Sequence, residues 1–135
     1  MRWTRTQVAE QHLGVPVSTL RSWERSAGFK PTGASAFQEF TPATYDPADV
    51  AVLQLIQQAS LIGLAGTHLA EVNNAAQGLR RHFIPGWQGL CVLSTDGRGW
   101  LIGQGVPGPP SVDSVVENLT DEARVLLVAK VVVPK

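Results

Sequence analysis

Apolar residues recur at helical spacing through the first half of the chain and at strand spacing through the second. Near the start, Thr4 followed three residues later by Gln7 forms a capping-box pattern, in which the hydroxyl and the amide satisfy free N–H groups of a first turn. The helix it opens carries Val8, Ala9 and His12 or Leu13 on one face. Gly14-Val15-Pro16 then makes a turn, because glycine admits positive φ and proline disfavours helical geometry in the residue before it. Ser18 predicts the N-cap of a second helix that buries Leu20 and Trp23 or Ala27, presents Thr19, Arg21, Ser22 and Arg25 outward, and ends at Gly28.

The stretch after Pro31 is rich in Thr, Ala, Gly, Ser and Pro, with Phe37, Phe40 and Tyr45 as its large apolar anchors, and predicts a loop or a short hairpin. Asp46 and Pro47 suit the N-cap and first position of a third helix, and Asp49 complements its dipole. Val50, Leu53, Ile56 and Gln57 or Ser60 mark the apolar face of that helix, widened by Val52 and Leu55. Residues 63–66 break the pattern. Thr67 opens a fourth helix in which Leu69, Val72, Ala76, Leu79 and Phe83 follow at steps of three and four, with Gly78 weakening its middle by about 1 kcal/mol relative to alanine.

At Pro85-Gly86 the periodicity turns from helical to extended, which predicts a boundary between a mainly α unit, residues 1–84, and a small α+β unit, residues 85–135. Residues 90–93 and 100–102 read as strands joined by a turn at 94–99, and residues 107–110 as a rigid loop. Ser111 caps a helix with Val112, Val115, Val116 and Leu119 on one side and acidic residues on the other. The β-branched run 125–133 is a final strand that can be central in its sheet, giving the order ββαβ.

Composition narrows the function. At 44% hydrophobic residues the 135-residue chain can bury a core. No apolar run approaches the roughly 20 residues that span a bilayer, and the start lacks the apolar core of a signal peptide, so a cytoplasmic protein without membrane contact is expected. The single cysteine, Cys91, allows no internal disulfide and no cysteine-rich metal site, and it stands in an apolar run where a thiol acts as a small hydrophobe. Asn118-Leu119-Thr120 matches a glycosylation acceptor only formally. The net charge is zero, but residues 1–30 hold Arg2, Arg5, Arg21, Arg25 and Lys30 against Glu10 and Glu24. That local excess of three positive charges coincides with the two-helix stretch.

Enzymatic chemistry is not evident. His12, His68 and His82 fall on predicted helices with no nucleophile context, and Gly97, Gly99, Gly103 and Gly105 lack the spacing of a phosphate loop. Trp87 and Trp100 suit either a core or a pocket for a flat ligand. The second helix reads either as half of an αα-hairpin with solvated arginines or as a nucleic-acid reader. Ser18, Thr19 and Ser22 are small enough to approach base edges or phosphates, and Arg21 and Arg25 pair with phosphate or guanine.

The segment GVPVSTLRSWERSAGFKP, residues 14–31, resembles MerR-family transcription regulators, in which a turn leads into Thr-Leu-Arg, two aromatic positions, Glu-Arg, and then Gly, an apolar residue and Pro. TYDPADVAVLQLIQQASLIGLAGTHLAEV, residues 44–72, resembles the last two helices of the family's DNA-binding domain, so that the likeness spans roughly residues 4–76. The resemblance implies a winged helix-turn-helix domain that binds double-stranded DNA sequence-specifically and regulates transcription. It puts Arg21 at a phosphate-contacting position, Trp23 at the second aromatic position and Ser22 at the first, and makes residues 30–45 a wing with Lys30 and Tyr45 near the DNA backbone. The candidate DNA-binding set is Arg5, Ser18, Thr19, Arg21, Ser22, Trp23, Arg25, Lys30 and Tyr45. Relative to the family, one extra residue separates Ala9 from Gly14, another separates Glu24 from Gly28, and Ala43-Thr44-Tyr45 offers no wing arginine.

Members of that family dimerise through a long helix that follows the domain and sense a ligand beyond it. The short fourth helix here shifts a homodimer contact to the C-terminal unit, for example through its last strand, and a small molecule or a protein is the other candidate partner of that unit. No cofactor or metal is expected. Two further readings stand beside the regulator: an excisionase-like architectural DNA-binding factor, and a protein-protein adaptor of the phage packaging or partition type.

Overall fold

The computed structural model describes residues 1–33, 42–106 and 108–135; Phe37, Phe40, the middle of the expected wing, and Pro107 lie outside the described residues. The capping box opens the first helix, α1 (Arg5–Gln7), with the Gln7 N–H donating to the Thr4 hydroxyl at 3.2 Å and the Thr4 N–H to the Gln7 side-chain oxygen at 2.9 Å. The helix continues as a wider π-helical turn, Val8–Leu13, and stops at Gly14, which takes φ 66° and donates to the Ala9 carbonyl. α2 (Val17–Ala27) begins two residues earlier than expected. Its N-cap is Pro16 rather than Ser18, because the Pro16 carbonyl already accepts the Thr19 and Leu20 N–H groups, and Ser18 stands exposed inside the first turn. Gly28 at φ 70° ends α2, and the Phe29 N–H closes on the Glu24 carbonyl at 2.9 Å. β1 (Trp3–Thr4) pairs antiparallel with β2 (Thr44–Tyr45).

α3 (Pro47–Leu61) is the central column. Every apolar side chain from Val50 to Ile56 is fully buried, so the helix is enclosed all round rather than on the single widened face expected. The cause is its neighbours: α2, the π-helical turn and α4 (Thr67–Gln77) cover part of it, and the C-terminal sheet covers the rest. α4 stops at Gln77, shorter than the expected run to Phe83, and Gly78 caps its end instead of weakening its middle. A 3-10 turn, Arg80–His82, follows, and it keeps Leu79 and Phe83 buried.

The C-terminal half adds β3 (Gln88–Ser94), β4 (Gly99–Ile102), a short α5 (Val112–Glu117) and β5 (Val125–Val132). The sheet is antiparallel with the order β4-β3-β5, which makes β3 central and β5 an edge strand, contrary to the expectation that β5 can be central. Leu127, Ala129, Val131 and Val133 turn inward, whereas Val128, Lys130 and Val132 face out. Ser111 caps α5 by accepting the Ser114 N–H; Val115 is buried, but Val116, expected on the packed side, is exposed. Gln54 of α3 donates to the Val132 carbonyl at 2.7 Å and accepts its N–H at 3.1 Å, so a helix side chain occupies part of the outer edge of β5. One buried cluster runs from Trp3 to Val133.

Asp49 is the polar centre of this arrangement. It has no exposed surface, yet its carboxylate accepts from the Arg80 guanidinium at 2.7 Å, the Thr32 hydroxyl at 2.7 Å, the Thr32 N–H at 3.1 Å and the Asp46 N–H at 3.0 Å. Burial alone would raise its pKa, but the Asp46 and Thr32 donors and Arg80 outweigh that and hold it below the usual carboxylate value. Its stabilisation is therefore complete above the ordinary value near 4 and is lost as pH falls through the lower folded value. Asp49→Ala is expected to cost about 3 kcal/mol or more in urea unfolding at neutral pH and to flatten the acid limb of the stability curve. A variant as stable as the parent at neutral pH would contradict this role.

Candidate nucleic-acid interface

α2 is built to be read from outside. Leu20 and Ala27, seven residues apart, anchor its inner face, and Gly14-Val15-Pro16 sets its entry angle. The opposite row, Ser18, Arg21, Ser22, Arg25 and Ser26, is exposed, so small polar side chains alternate with two guanidinium groups along the helix. Thr19 and Trp23 are half-buried at the margins of that row, and Trp23 packs against the core. Beside it lies an open cleft of about 620 Å³, bordered by four cationic side chains, Arg5, Arg21, Arg25 and Lys30, against one carboxylate, Glu24.

Glu24 organises the floor of this cleft. Arg5 donates to both of its oxygens at 3.3 Å, and the Tyr45 hydroxyl donates to Oε1 as well. The Arg5 guanidinium also sits 5.8 Å from the centre of the Tyr45 ring. Burial would lower the Arg5 pKa, but its bonds and proximity to Glu24 carry it above the usual arginine value. Tyr45 is pushed up, first by burial and then by Glu24. The sequence-predicted set therefore divides. Ser18, Arg21, Ser22, Arg25 and Lys30 stand at the surface, Arg5 is partly engaged, and Tyr45 is fully buried, acting on the surface only through Glu24.

Arg2, absent from the predicted set, donates to the Thr32 hydroxyl at 2.8 Å and the Thr44 hydroxyl at 2.9 Å. Gly33 donates to the Thr44 carbonyl at 3.0 Å, and a Cβ there would overlap Thr44. These contacts bring together the two ends of the segment between them. Nothing in the local pattern marks Arg2 or Glu24 for these tasks, because their partners lie 19 to 42 residues away.

The other candidate chemistry is placed as packing. The Cys91 thiol is buried and burial pushes its pKa up to about 12, which makes it a poor nucleophile. His12 packs edge-on to Trp3, with ring centres 4.5 Å apart, and burial lowers its pKa. Among the described residues no cluster of histidine, cysteine and carboxylate side chains is arranged to hold a metal, and no helix is long and apolar enough to cross a membrane.

Two helices across a glycine turn, the second with an exposed row of serines and arginines beside a cationic cleft, define a helix-turn-helix protein of the DNA-binding class. The family model for the MerR HTH family regulatory protein matches residues 5–79, more than half of the chain. The chain belongs to the MerR helix-turn-helix family. Neither a curated protein nor a solved structure matches it significantly.

Tyr45 is the only tyrosine, so phenolate absorbance reads it alone. Its midpoint is expected well above 10, and Glu24→Gln is expected to bring it down and to lower stability by about 2 kcal/mol. An unchanged midpoint in that variant would show that Glu24 does not accept the phenol proton.

Proposed function

We propose that the protein is a sequence-specific, dimeric transcription regulator whose α2 reads the major groove. Membership of the family supports DNA-binding transcription regulation at family level. The observation that carries the finer reading is the exposed row of α2, with Arg21 and Arg25 on phosphate or guanine and Ser18 and Ser22 at close approach to the bases. Lys30 opens the segment proposed as the wing, and Arg5, Thr19 and Trp23 flank the row; Tyr45 serves by fixing Glu24. Residues 1–84 act as the winged helix-turn-helix domain in the cytoplasm, and the ββαβ unit from residue 85 assembles it.

The proposed assembly uses β5. Val133 bonds to Trp87 across from β3, so by antiparallel alternation Val128 and Lys130 turn their N–H and C=O groups away from β3. Leu90, Val128 and Val132, exposed by 38%, 43% and 43%, add an apolar surface beside that edge. An unpaired edge with apolar flanks invites a second copy. An architectural, excisionase-like reading is favoured by one observation: α4 ends at Gln77, far short of a coiled-coil arm. DNA bending without any effect on a bound promoter would select it.

Genomic fragments retained by the protein supply the cognate site. Arg21→Ala and Arg25→Ala are each expected to weaken binding there roughly ten-fold or more and to reduce the salt slope by about 1. Unchanged affinity in both would remove α2 as the reading element. Val128→Pro deletes an outward N–H that β3 does not use, and is expected to convert a dimer to a monomer in sedimentation while leaving the fold intact. Persistence of the dimer would place the contact elsewhere.

A further inference from the structure

A second cavity, about 250 Å³, lies where the two halves of the chain meet, between the end of α4 and the outer edge of β4. Leu79, Leu101, Val106 and Pro109 supply apolar walls, and Trp100 borders it with the Arg98 guanidinium 5.0 Å from its ring centre. Its polar side chains are Arg81 and His82, with no carboxylate in the lining. Arg81 borders the cavity and donates from Nε to the His82 Nε2 at 3.2 Å; among the described residues it has no acidic partner.

The strand edge adds donors. Ser94 bonds to the Arg98 carbonyl, so the hydrogen-bonded positions of β4 alternate from there and Gly99 and Leu101 direct their N–H and C=O groups away from β3. Two glycines let the walls of the cavity close on one another: a Cβ on Gly99 would meet Leu79 at 2.7 Å, and one on Gly108 would meet the Leu101 carbonyl at 2.5 Å. Backbone N–H groups and a guanidinium fork over apolar walls are the elements that recognise a carboxylate on a small apolar body.

We infer that this cavity is a binding site for a small aromatic or aliphatic carboxylic acid, with Arg81 holding the acid group and the Leu79, Trp100 and Leu101 walls holding the body. It is separate from the α2 surface and does not depend on DNA binding. Arg81 follows Arg80 in the same 3-10 turn, so a bound acid sits one residue from the partner of Asp49.

Benzoate and its uncharged analogue benzamide, titrated to about 10 mM into the full chain without DNA, test the site, since amide NMR shifts at that concentration register affinities of millimolar order. Benzoate is expected to give saturable shifts confined to residues 78–82 and 99–106, about ten-fold tighter than benzamide. Arg81→Gln is expected to erase the difference, and Val106→Trp, which fills the cavity, to abolish both titrations while the remaining spectrum stays native. Equal affinity of acid and amide for the parent chain, no saturable shift in those residues, or binding that survives Val106→Trp would overturn the inference.

Discussion

A carboxylate withdrawn from water must have its oxygens filled by donors, and Asp49 meets that demand by recruiting four groups from three parts of the chain. Because no water is available to replace any of them, each donor must arrive at a fixed position. Thr32 brings the exit of the α2 segment, and Asp46 brings the start of α3. Arg80 brings the turn that follows α4. Arg80 also donates to the Gln77 side chain at 2.9 Å, Gln77 to Asn73 at 3.1 Å, and Asn73 to the Ala27 carbonyl at 3.2 Å. The last carbonyl of α2 is thereby tied to the same centre that holds Thr32. The exposed row of α2 owes its orientation to a buried charge on a different helix.

What the sequence makes legible in this structure is what is local. The capping box of Thr4 and Gln7 and that of Asp46 and Asp49, which opens α3, each join residues three apart, and the φ reversals at Gly14 and Gly28 follow from residue type, so the starts and stops of the early helices are readable one turn at a time. The same holds for the exposed row of α2, which follows from Leu20 and helical geometry. The placements that the sequence does not reveal have a common source in partners far along the chain. Arg5 and Tyr45 carry residue types suited to DNA, and Glu24, 19 and 21 residues away, draws both inward. Whether Asp49 is a surface helix-dipole residue or a buried hub depends on Arg80, 31 residues on. The length of α4 and the edge position of β5 depend likewise on where the sheet docks.

That docking explains why α3 has no polar face to offer solvent over its middle turns. Its valines and leucines satisfy two layers at once, the helical layer through α2 and α4 and the sheet through β5. Gln54 and Gln57, the polar residues within that stretch, are both spent on backbone groups: Gln54 on Val132 and Gln57 on the Leu13 carbonyl at 2.8 Å. One helix thus carries the end of the π-helical turn and the last strand of the sheet.

The π-helical turn resolves the count of residues in the first helix. With one more residue between Ala9 and Gly14 than the family pattern has, an ordinary α-helix would rotate everything after the insertion by about 100° and carry Leu13 off the core. A turn closed by i to i−5 bonds takes in the additional residue without that rotation, and Gly14 donates to Ala9 in this way, leaving Val8, Ala9 and Leu13 buried together. The second extra residue, between Glu24 and Gly28, falls after Ser18, Arg21 and Ser22, in the last turn of the helix, where Arg25 and Ser26 stand. It lengthens the C-terminal end of α2 instead of turning its face, since Leu20 and Ala27 still bury one stripe. Both insertions are therefore absorbed at helix ends, where hydrogen bonding is adaptable, and the outward row keeps the relation to the core that its residue types require.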